Sequence, residues 1–219
     1  MMKMTNEERE RFSDLLACLF SPPDHEIVEQ VRQRNVYCFF QHYLQIWRED
    51  TGVLKGFLVD GDQESAFRDL REEHERLFTS EAEKEKISLV ESFYKPWTQD
   101  PHCPLPFATD KGLLMGDFAL HLLALYKQSG LEVEGEYQGM PDHLVLELEF
   151  LSFLYERGTD KEIKRFIEDH LDWIPLLKEE FKKSHAHSFY RSALDIFILF
   201  LSREKERLEV EESGEKEIY

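Results

Sequence analysis

The 219-residue chain is long enough to bury a substantial core, and its 42% hydrophobic and 13% aromatic content excludes a disordered or fibrous protein. Its formal net charge of -18 disfavours nucleic acid and anionic lipid surfaces as partners and favours a basic partner. The cysteines, Cys18, Cys38 and Cys103, form no CxxC pair, so we expect a reducing compartment and neither a disulfide framework nor a zinc site.

The sequence shows no pattern typical of membrane insertion or export. Its longest apolar runs, such as IFILFL at 196–201, are far shorter than the roughly 18 residues that a membrane span needs. The N-terminal stretch MMKMTNEERERF is charged and lacks the apolar core of a signal peptide. We therefore expect a cytoplasmic protein without stable membrane insertion.

The first part of the chain predicts amphipathic helices. Thr5 followed by Glu8 is a capping-box pattern, which predicts a helix over about 5–20. Asp24 is placed to cap a second helix, in which Asn35 marks a break. The glycine-containing stretch 52–61 predicts a loop, and the spacing of apolar residues in DQESAFRDLREEHERLFTS predicts another helix.

A proline-rich stretch follows at 79–109 and predicts a long ordered loop that contains a short helix. Loops of this length inside a compact domain are usually functional or disordered. This loop also carries enough aromatic surface to be held against the core, from Phe93, Tyr94, Trp97 and Phe107.

The second half of the chain again shows helical spacing. One helix is predicted from Asp110 to a C-terminal glycine at Gly130. The segment from Pro141 to Gly158 is apolar nearly all round, which predicts the central helix, with Pro141 in its first turn and Asp142 as its cap.

The remaining signals predict three further helices and a tail. Thr159 and Glu162 form a second capping box, Pro175 suits the first turn of the next helix, and FYRSALDIFILFL predicts a last apolar helix. No run alternates with period two, so the predicted fold is all-α, a single-domain multi-helix bundle over 1–208. The charged tail 209–219 is expected to fray.

The start of the central helix is the strongest candidate for a site. His143 is not explained by capping, because a helix N-terminus disfavours a protonated ring and we expect a histidine to add nothing to the cap. Glu147 lies one turn further on, on the same side. The HExxH pattern, nucleophile elbows and phosphate-binding glycine loops are absent from the sequence, so we expect no metal, no cofactor and no enzyme activity.

The acidic residues of this region indicate what it binds. Between Lys127 and Arg157 there is no Lys or Arg, and at least one of Glu147 and Glu149 must be partly buried. Tyr94 and Trp97 have polar tips that suit the lip of a groove. An apolar groove with an acidic recess at one end matches a peptide that is basic and then apolar, which is the layout of twin-arginine signal peptides.

Several segments, in their order along the chain, resemble the TorD/DmsD/NarJ family of cytoplasmic chaperones for molybdenum-containing redox enzymes. These segments are RFSDLLACLFSPPD, EEHERLFTS followed by VESFY, PDHLVLELEFL, FIEDHLDWIPLL and FYRSALDIFILFL. The resemblance implies a TorD-like helical bundle that binds the signal peptide of an apoenzyme subunit, assists cofactor insertion and delays twin-arginine export. It implies a monomer or a homodimer.

The same resemblance implies a set of peptide-binding residues. The E-S-x-Y match contributes Glu91, Ser92 and Tyr94, and the P-D-H helix contributes Pro141, Asp142, His143 and Glu147. Trp97 is added on physical grounds alone. The loop KPWTQDPHCPLPF is longer and richer in proline than in the best-known branches of the family, which bears on the identity of the client enzyme.

Two other functions are compatible with the same residues. A metal- or nucleotide-dependent helical enzyme would use Asp142, His143 and Glu147 as ligands or as a general base. A purely structural assembly subunit would have no peptide groove.

Overall fold

The structure is a computed structural model that describes residues 4–79 and 86–216, with side chains described up to residue 210. Within these ranges the chain forms helices and loops and contains no β-strand, which confirms the all-α prediction. The α-helices are α1 (Asn6–Phe20), α2 (His25–Arg32), α3 (Asn35–Trp47), α4 (Gln63–His74), α5 (Asp117–Gln128), α6 (Leu144–Arg157), α7 (Asp160–His170), α8 (Ile174–Lys183) and α9 (Ser188–Lys216). Short 3-10 helices cover Thr51–Phe57, Glu91–Phe93 and Gly135–Tyr137, and α4 continues into a π-helical turn at Glu75–Thr79.

The predicted helix starts in the N-terminal part are confirmed. The Thr5 side chain accepts from the Glu8 N–H at 3.2 Å, and the Thr5 N–H donates to the Glu8 carboxylate at 2.6 Å, which completes the capping box of α1. The Asp24 carboxylate accepts from the Ile27 N–H at 2.8 Å and caps α2. The break falls at Arg34, whose φ of 63° lies in the left-handed region, and α3 begins at Asn35.

Helix α6 occupies the centre of the fold. Its buried positions lie all round the helix, at Leu144, Val145, Glu147, Leu148, Phe150, Leu151, Ser152, Leu154 and Tyr155. It packs mainly against α1 and also against α7, while α9 packs against the Thr51–Phe57 helix, α1, α7 and α8. Each fully buried Leu or Phe in this core contributes roughly 1.5–3 kcal/mol, so α6 is a major source of stability.

The prediction of a loop over 52–61 was wrong in its first half, because residues Thr51–Phe57 form a 3-10 helix. The helix is held directly against the start of α9. A Cβ atom added at Gly56 would lie 2.0 Å from the carbonyl oxygen of Ser188, so only glycine allows this approach. The Gly56 N–H donates to the Ser192 hydroxyl at 3.0 Å.

The predicted helix from Asp110 was also wrong, because α5 begins seven residues later, at Asp117. Gly112 and Met115 have φ values of 81° and 60°, which no α-helix accommodates. The turn they form leads into α5, where the Asp117 carboxylate accepts from the Thr98 hydroxyl at 2.6 Å. The other end is as predicted, since Gly130 follows α5 with a φ of 74°.

The C-terminal helices start as predicted. Thr159 and Glu162 form the capping box of α7, and Pro175 lies in the first turn of α8. Helix α9 continues to Lys216, and its buried Leu208 packs into the core. The division of the chain at residue 208 stays a prediction.

No helix in the described ranges combines the length and the apolar character that crossing a membrane requires.

Candidate functional site

The E-S-x-Y loop and the start of α6 are joined through their backbones. The Glu91 N–H donates to the Asp142 carbonyl at 2.9 Å, and the Leu144 N–H donates to the Leu89 carbonyl at 2.7 Å. Val90 and His143 form an isolated antiparallel bridge between these bonds. Two motifs that lie about fifty residues apart in the sequence therefore form one unit, as the sequence interpretation requires.

Asp142 fastens this unit and does not cap α6. Its Oδ2 atom accepts from the Ser92 N–H at 2.9 Å and from the Ser92 hydroxyl. The side chain of Asp142 is fully buried. Pro141 is also buried and precedes the helix, with its carbonyl accepting from the Tyr126 hydroxyl at 2.9 Å, so its predicted place in the first turn was wrong.

The cap of α6 is His143, which corrects the expectation that a histidine adds nothing there. Its Nδ1 atom accepts from the Val145 N–H at 3.3 Å. Burial, followed by the nearby His74, lowers the pKa of His143 to about 4. The ring is therefore neutral at physiological pH, which leaves Nδ1 free to accept and avoids placing a cation at the helix N-terminus. Tyr137 packs against the ring, with 4.5 Å between centroids.

A buried ionic network lies behind the loop. The Glu91 carboxylate contacts Lys95 Nζ at 2.6 Å and His170 Nδ1 at 3.1 Å. Lys95 also pairs with Asp172, donates to the Asp169 carbonyl at 2.8 Å, and lies over the Phe118 ring. The network connects the loop to the C-terminal end of α7.

Glu147 connects α6 to the other side of the loop. Its Oε2 atom accepts from the Trp173 indole N–H at 3.2 Å, and this N–H also donates to the His170 carbonyl at 2.9 Å. Tyr94 stacks on Trp173 with 4.9 Å between centroids, and its hydroxyl donates to the Ser88 carbonyl at 2.8 Å. The aromatic pair thus fixes the position of the loop relative to α6.

Three carboxyl groups, those of Glu91, Asp142 and Glu147, are completely shielded from solvent. Burial, followed by the neighbouring carboxylates of Glu91 and Asp142, raises the pKa of Glu147 well above its ordinary value. Within the described residues, Asp142 Oδ1 and Glu147 Oε1 have no hydrogen-bond donor. Glu147 therefore holds its proton more strongly than an exposed glutamate, because ionisation would add a buried negative charge next to the neighbouring carboxylates.

An open groove lies on the outer side of this unit. It consists of two hollows of about 310 Å³ and 570 Å³ that share Lys86, Ser88 and Phe93 in their walls. We call the two together the loop groove. The smaller hollow is bounded by His143 and by the apolar side chains of Phe20, Phe78, Leu89, Leu114, Tyr137 and Met140, and the larger by Tyr94 and Leu176.

The eight predicted site residues therefore separate into three groups, the third of which is Trp97 alone. Tyr94 and His143 line the loop groove. Glu91, Ser92, Pro141, Asp142 and Glu147 lie beneath it, and all five are buried. The acidic recess expected from the sequence is thus covered, because the loop closes over these carboxylates.

Trp97 is not brought into the loop groove. Its ring packs edge-on against Phe107 with 5.2 Å between centroids, and it lines neither hollow. Its backbone holds the proline-rich loop in place, with the Trp97 N–H donating to the Asp110 carbonyl at 2.9 Å. The predicted role at the lip of the groove belongs instead to Phe93, which is 47% exposed and borders both hollows.

Sequence reasoning missed Phe93, Lys95, His170 and Trp173. Lys95 could have been found, because it is the only Lys or Arg between residues 87 and 110 and follows Glu91 by four positions. The histidine and the tryptophan carry no local signal, since their partners lie far away in the sequence.

The geometry does not assemble the residues of the enzyme alternative into one centre. Asp142 faces Ser92, His143 faces the Val145 N–H, and Glu147 faces Trp173. Among the side chains that the structure describes, no three His, Cys, Asp or Glu residues are grouped to hold a metal ion.

Comparison with known proteins identifies the family. Residues 41–189, more than half of the chain, match the family described as nitrate reductase delta subunit. The chain belongs to this family. Relatives named chaperone protein TorD are also similar to this chain, and together with the family match they confirm the resemblance drawn from the motifs.

Three of these relatives show the extent of the similarity. TorD of Vibrio vulnificus strain YJ016 is 30% identical over 115 residues, which cover 45% of this chain and 54% of the relative. TorD of Vibrio cholerae serotype O1 El Tor Inaba N16961 is 30% identical over 125 residues, with 50% and 57% covered. TorD of Shewanella piezotolerans WP3 is 22% identical over 214 residues, with 95% and 96% covered. The chain thus spans about half the length of the Vibrio relatives it matches.

A solved structure shares the fold. The crystal structure of a putative redox enzyme maturation protein from Archaeoglobus fulgidus superimposes with a TM-score of 0.53 at 20% identity, covering 90% of this chain and 96% of that protein. This likeness supports the predicted TorD-like bundle. The TorD relatives are named as chaperones, which agrees with the expectation of a non-catalytic family.

Proposed function

We propose that this chain is a cytoplasmic assembly chaperone that holds the leader segment of a redox-enzyme subunit in the loop groove. The client is the apo-form of a molybdenum-containing subunit, and its leader is basic and then apolar. Holding this segment would assist cofactor insertion and delay twin-arginine export. The family membership and the TorD relatives support the class of protein, and the loop groove supports the mode of binding.

The observation that carries this proposal is the exposed apolar lining of the loop groove. Phe93 and Leu114 are 47% and 45% exposed at the wall of the smaller hollow. Large apolar side chains grouped at a concave surface are typical of peptide-binding sites. Their burial by a ligand contributes about 25 cal/mol for each Å² of apolar surface that leaves water.

The residues beneath the groove have a positioning role in this proposal. Asp142 holds Ser92, Glu91 holds Lys95 and His170, and Glu147 holds Trp173, so the wall of the groove is fixed before a peptide arrives. A pre-organised wall avoids the entropic cost of ordering a loop on binding. Replacing Asp142 would release the loop itself, so such a variant reports on folding as well as on binding.

A matched pair of surface variants tests the proposal without disturbing the core. We expect Phe93→Ala to weaken the binding of a labelled peptide, with two arginines followed by an apolar segment, by about tenfold. Leu120→Ala is the control, because Leu120 is 51% exposed on α5 and lines neither hollow. The measurement is fluorescence anisotropy at low ionic strength.

The outcomes separate the proposed function from its alternative. Weaker binding by Phe93→Ala with unchanged binding by Leu120→Ala supports the loop groove as the site. No binding of the peptide to the wild-type protein, together with a stable complex with the folded, cofactor-loaded enzyme, would overturn the proposal and favour a structural subunit without a peptide groove.

A further inference from the structure

The charges around the loop groove differ between its two ends. At the smaller hollow the wall contains the exposed acid Glu136, and its two histidines, His74 and His143, are neutral because burial lowers the pKa of each. Glu136 borders this hollow alone, whereas Lys86 borders both hollows, so the end away from their junction carries the acid.

The larger hollow has lysines in its wall that are unpaired among the described residues. Lys86, Lys111 and Lys183 line it together with Glu179 and Glu180. Both acids are already paired within α8, Glu180 with Lys183 at 2.8 Å and Glu179 with Lys182 at 2.6 Å. Among the ion pairs of the described residues, none involves Lys86 or Lys111, so these two lysines are the cations of this hollow that no described acid pairs with.

We propose that the loop groove is directional and selects a peptide that is basic, then apolar, then acidic. The basic residues lie at the Glu136 end, the apolar segment crosses Phe93, and the acidic residue lies between Lys86 and Lys111. Since the basic part of a leader comes first, its N-terminal side lies beside Gly135–Tyr137 and the chain runs towards α8. This inference rests on the proposed function and adds the direction and the requirement for an acid.

The reasoning is electrostatic. A peptide bound in the reverse direction would place arginines beside Lys86 and Lys111 and an acid beside Glu136. Each exposed contact of this kind changes affinity only modestly, by about two- to fivefold at low ionic strength, but the contacts at both ends act in the same direction. The repulsion of the wrong orientation contributes to selectivity as much as the attraction of the right one.

Three synthetic peptides of equal length test the direction, and the first two also have the same composition. The first has two arginines, an apolar segment and two aspartates; the second has the reversed sequence; and the third ends in two lysines in place of the aspartates. We expect the wild-type protein to bind the first peptide about tenfold more tightly than either of the others, as measured by fluorescence anisotropy at low ionic strength.

Charge-reversal variants then locate each end. Glu136→Lys should lower the affinity for the first peptide by about two- to fivefold. Lys111→Glu should lower it by a similar factor and raise the affinity for the lysine-ended peptide. The controls are Glu72→Lys and Lys127→Glu, which make the same charge changes at exposed positions that line neither hollow. Effects in the controls as large as those in the groove variants would overturn the inference, because they would reflect net charge alone.

The results distinguish the direction from the proposed function. Equal binding of the first and the reversed peptide would overturn the direction and leave the loop groove as a peptide site. Failure of all three peptides to bind would overturn both. A concentration-dependent dimer in which Phe93→Ala abolishes association would assign the groove to a second copy of the chain and likewise overturn both.

Discussion

Asp142, His143 and Glu147 show how far single residues could be interpreted from the sequence. The motif directly precedes and begins α6, but its members have other structural roles than those expected from the sequence. Asp142 was expected to cap α6 and holds Ser92, whereas His143 was expected to contribute nothing and is the cap. Which side chain turns towards the helix depends on the loop that arrives from residues 88–95, and that loop leaves no trace in the local sequence.

The raised pKa of Glu147 leads to a prediction about how stability depends on pH. Because the folded state raises its pKa above the ordinary value of 4.5, the folded protein retains a proton that the unfolded chain releases as the pH rises. The stability from this group is complete below about pH 4.5 and is lost as the pH rises towards the folded-state pKa. Glu147→Gln is neutral at every pH and keeps an acceptor for Trp173.

We therefore expect the free energy of unfolding of Glu147→Gln to fall less than that of the wild type between about pH 5 and pH 8. The difference should widen steadily as the pH rises, because the unfolded chain releases the proton that the folded protein retains. Urea unfolding at several pH values measures it, with the exposed Glu132→Gln as control. Parallel curves for wild type and Glu147→Gln would show that Glu147 is not protonated in the folded protein.

At the scale of elements, local signals predicted the helices that local interactions define. The capping boxes at Thr5 and Thr159 and the glycine at Gly130 all mark real helix ends. The wrong predictions concern segments whose conformation is set by contacts with distant parts of the chain. The 3-10 helix at Thr51–Phe57 depends on contact with α9, and the turn at 110–116 depends on the pairing of Trp97 with Asp110 and Asp117.

A substitution that adds a single methyl group tests the contact of Gly56 with α9. Gly56→Ala places a Cβ atom against the backbone of Ser188, and the helix must move away, so we expect a loss of at least about 2 kcal/mol of stability. Gly139→Ala is the matched control, because its Cβ atom would meet nothing within 4 Å. Thermal unfolding followed by circular dichroism gives the comparison, and equal midpoints for the two variants would contradict the packing described for this helix.

At the scale of the whole molecule, the order of the motifs predicted the family correctly, but composition did not predict the position of the charges. The net charge of -18 indicates a basic partner, and the order of the motifs indicates the family. The sequence could not show that Glu91, Asp142 and Glu147 lie inside while Lys86 and Lys111 lie at the surface. Exposure of charged groups depends on tertiary packing, and a list of acidic residues carries no information about it.

The loop groove as the peptide site is tested most directly by photo-cross-linking. A leader peptide with photo-leucine in its apolar segment, bound to the full chain and irradiated, should attach to the walls around Phe93, Leu114 and Met140. Mass spectrometry of the digested product identifies the sites, and unlabelled peptide in excess should abolish them. Cross-links confined to the surface between α5 and α7, around His121 and Phe166, would contradict a site in the loop groove.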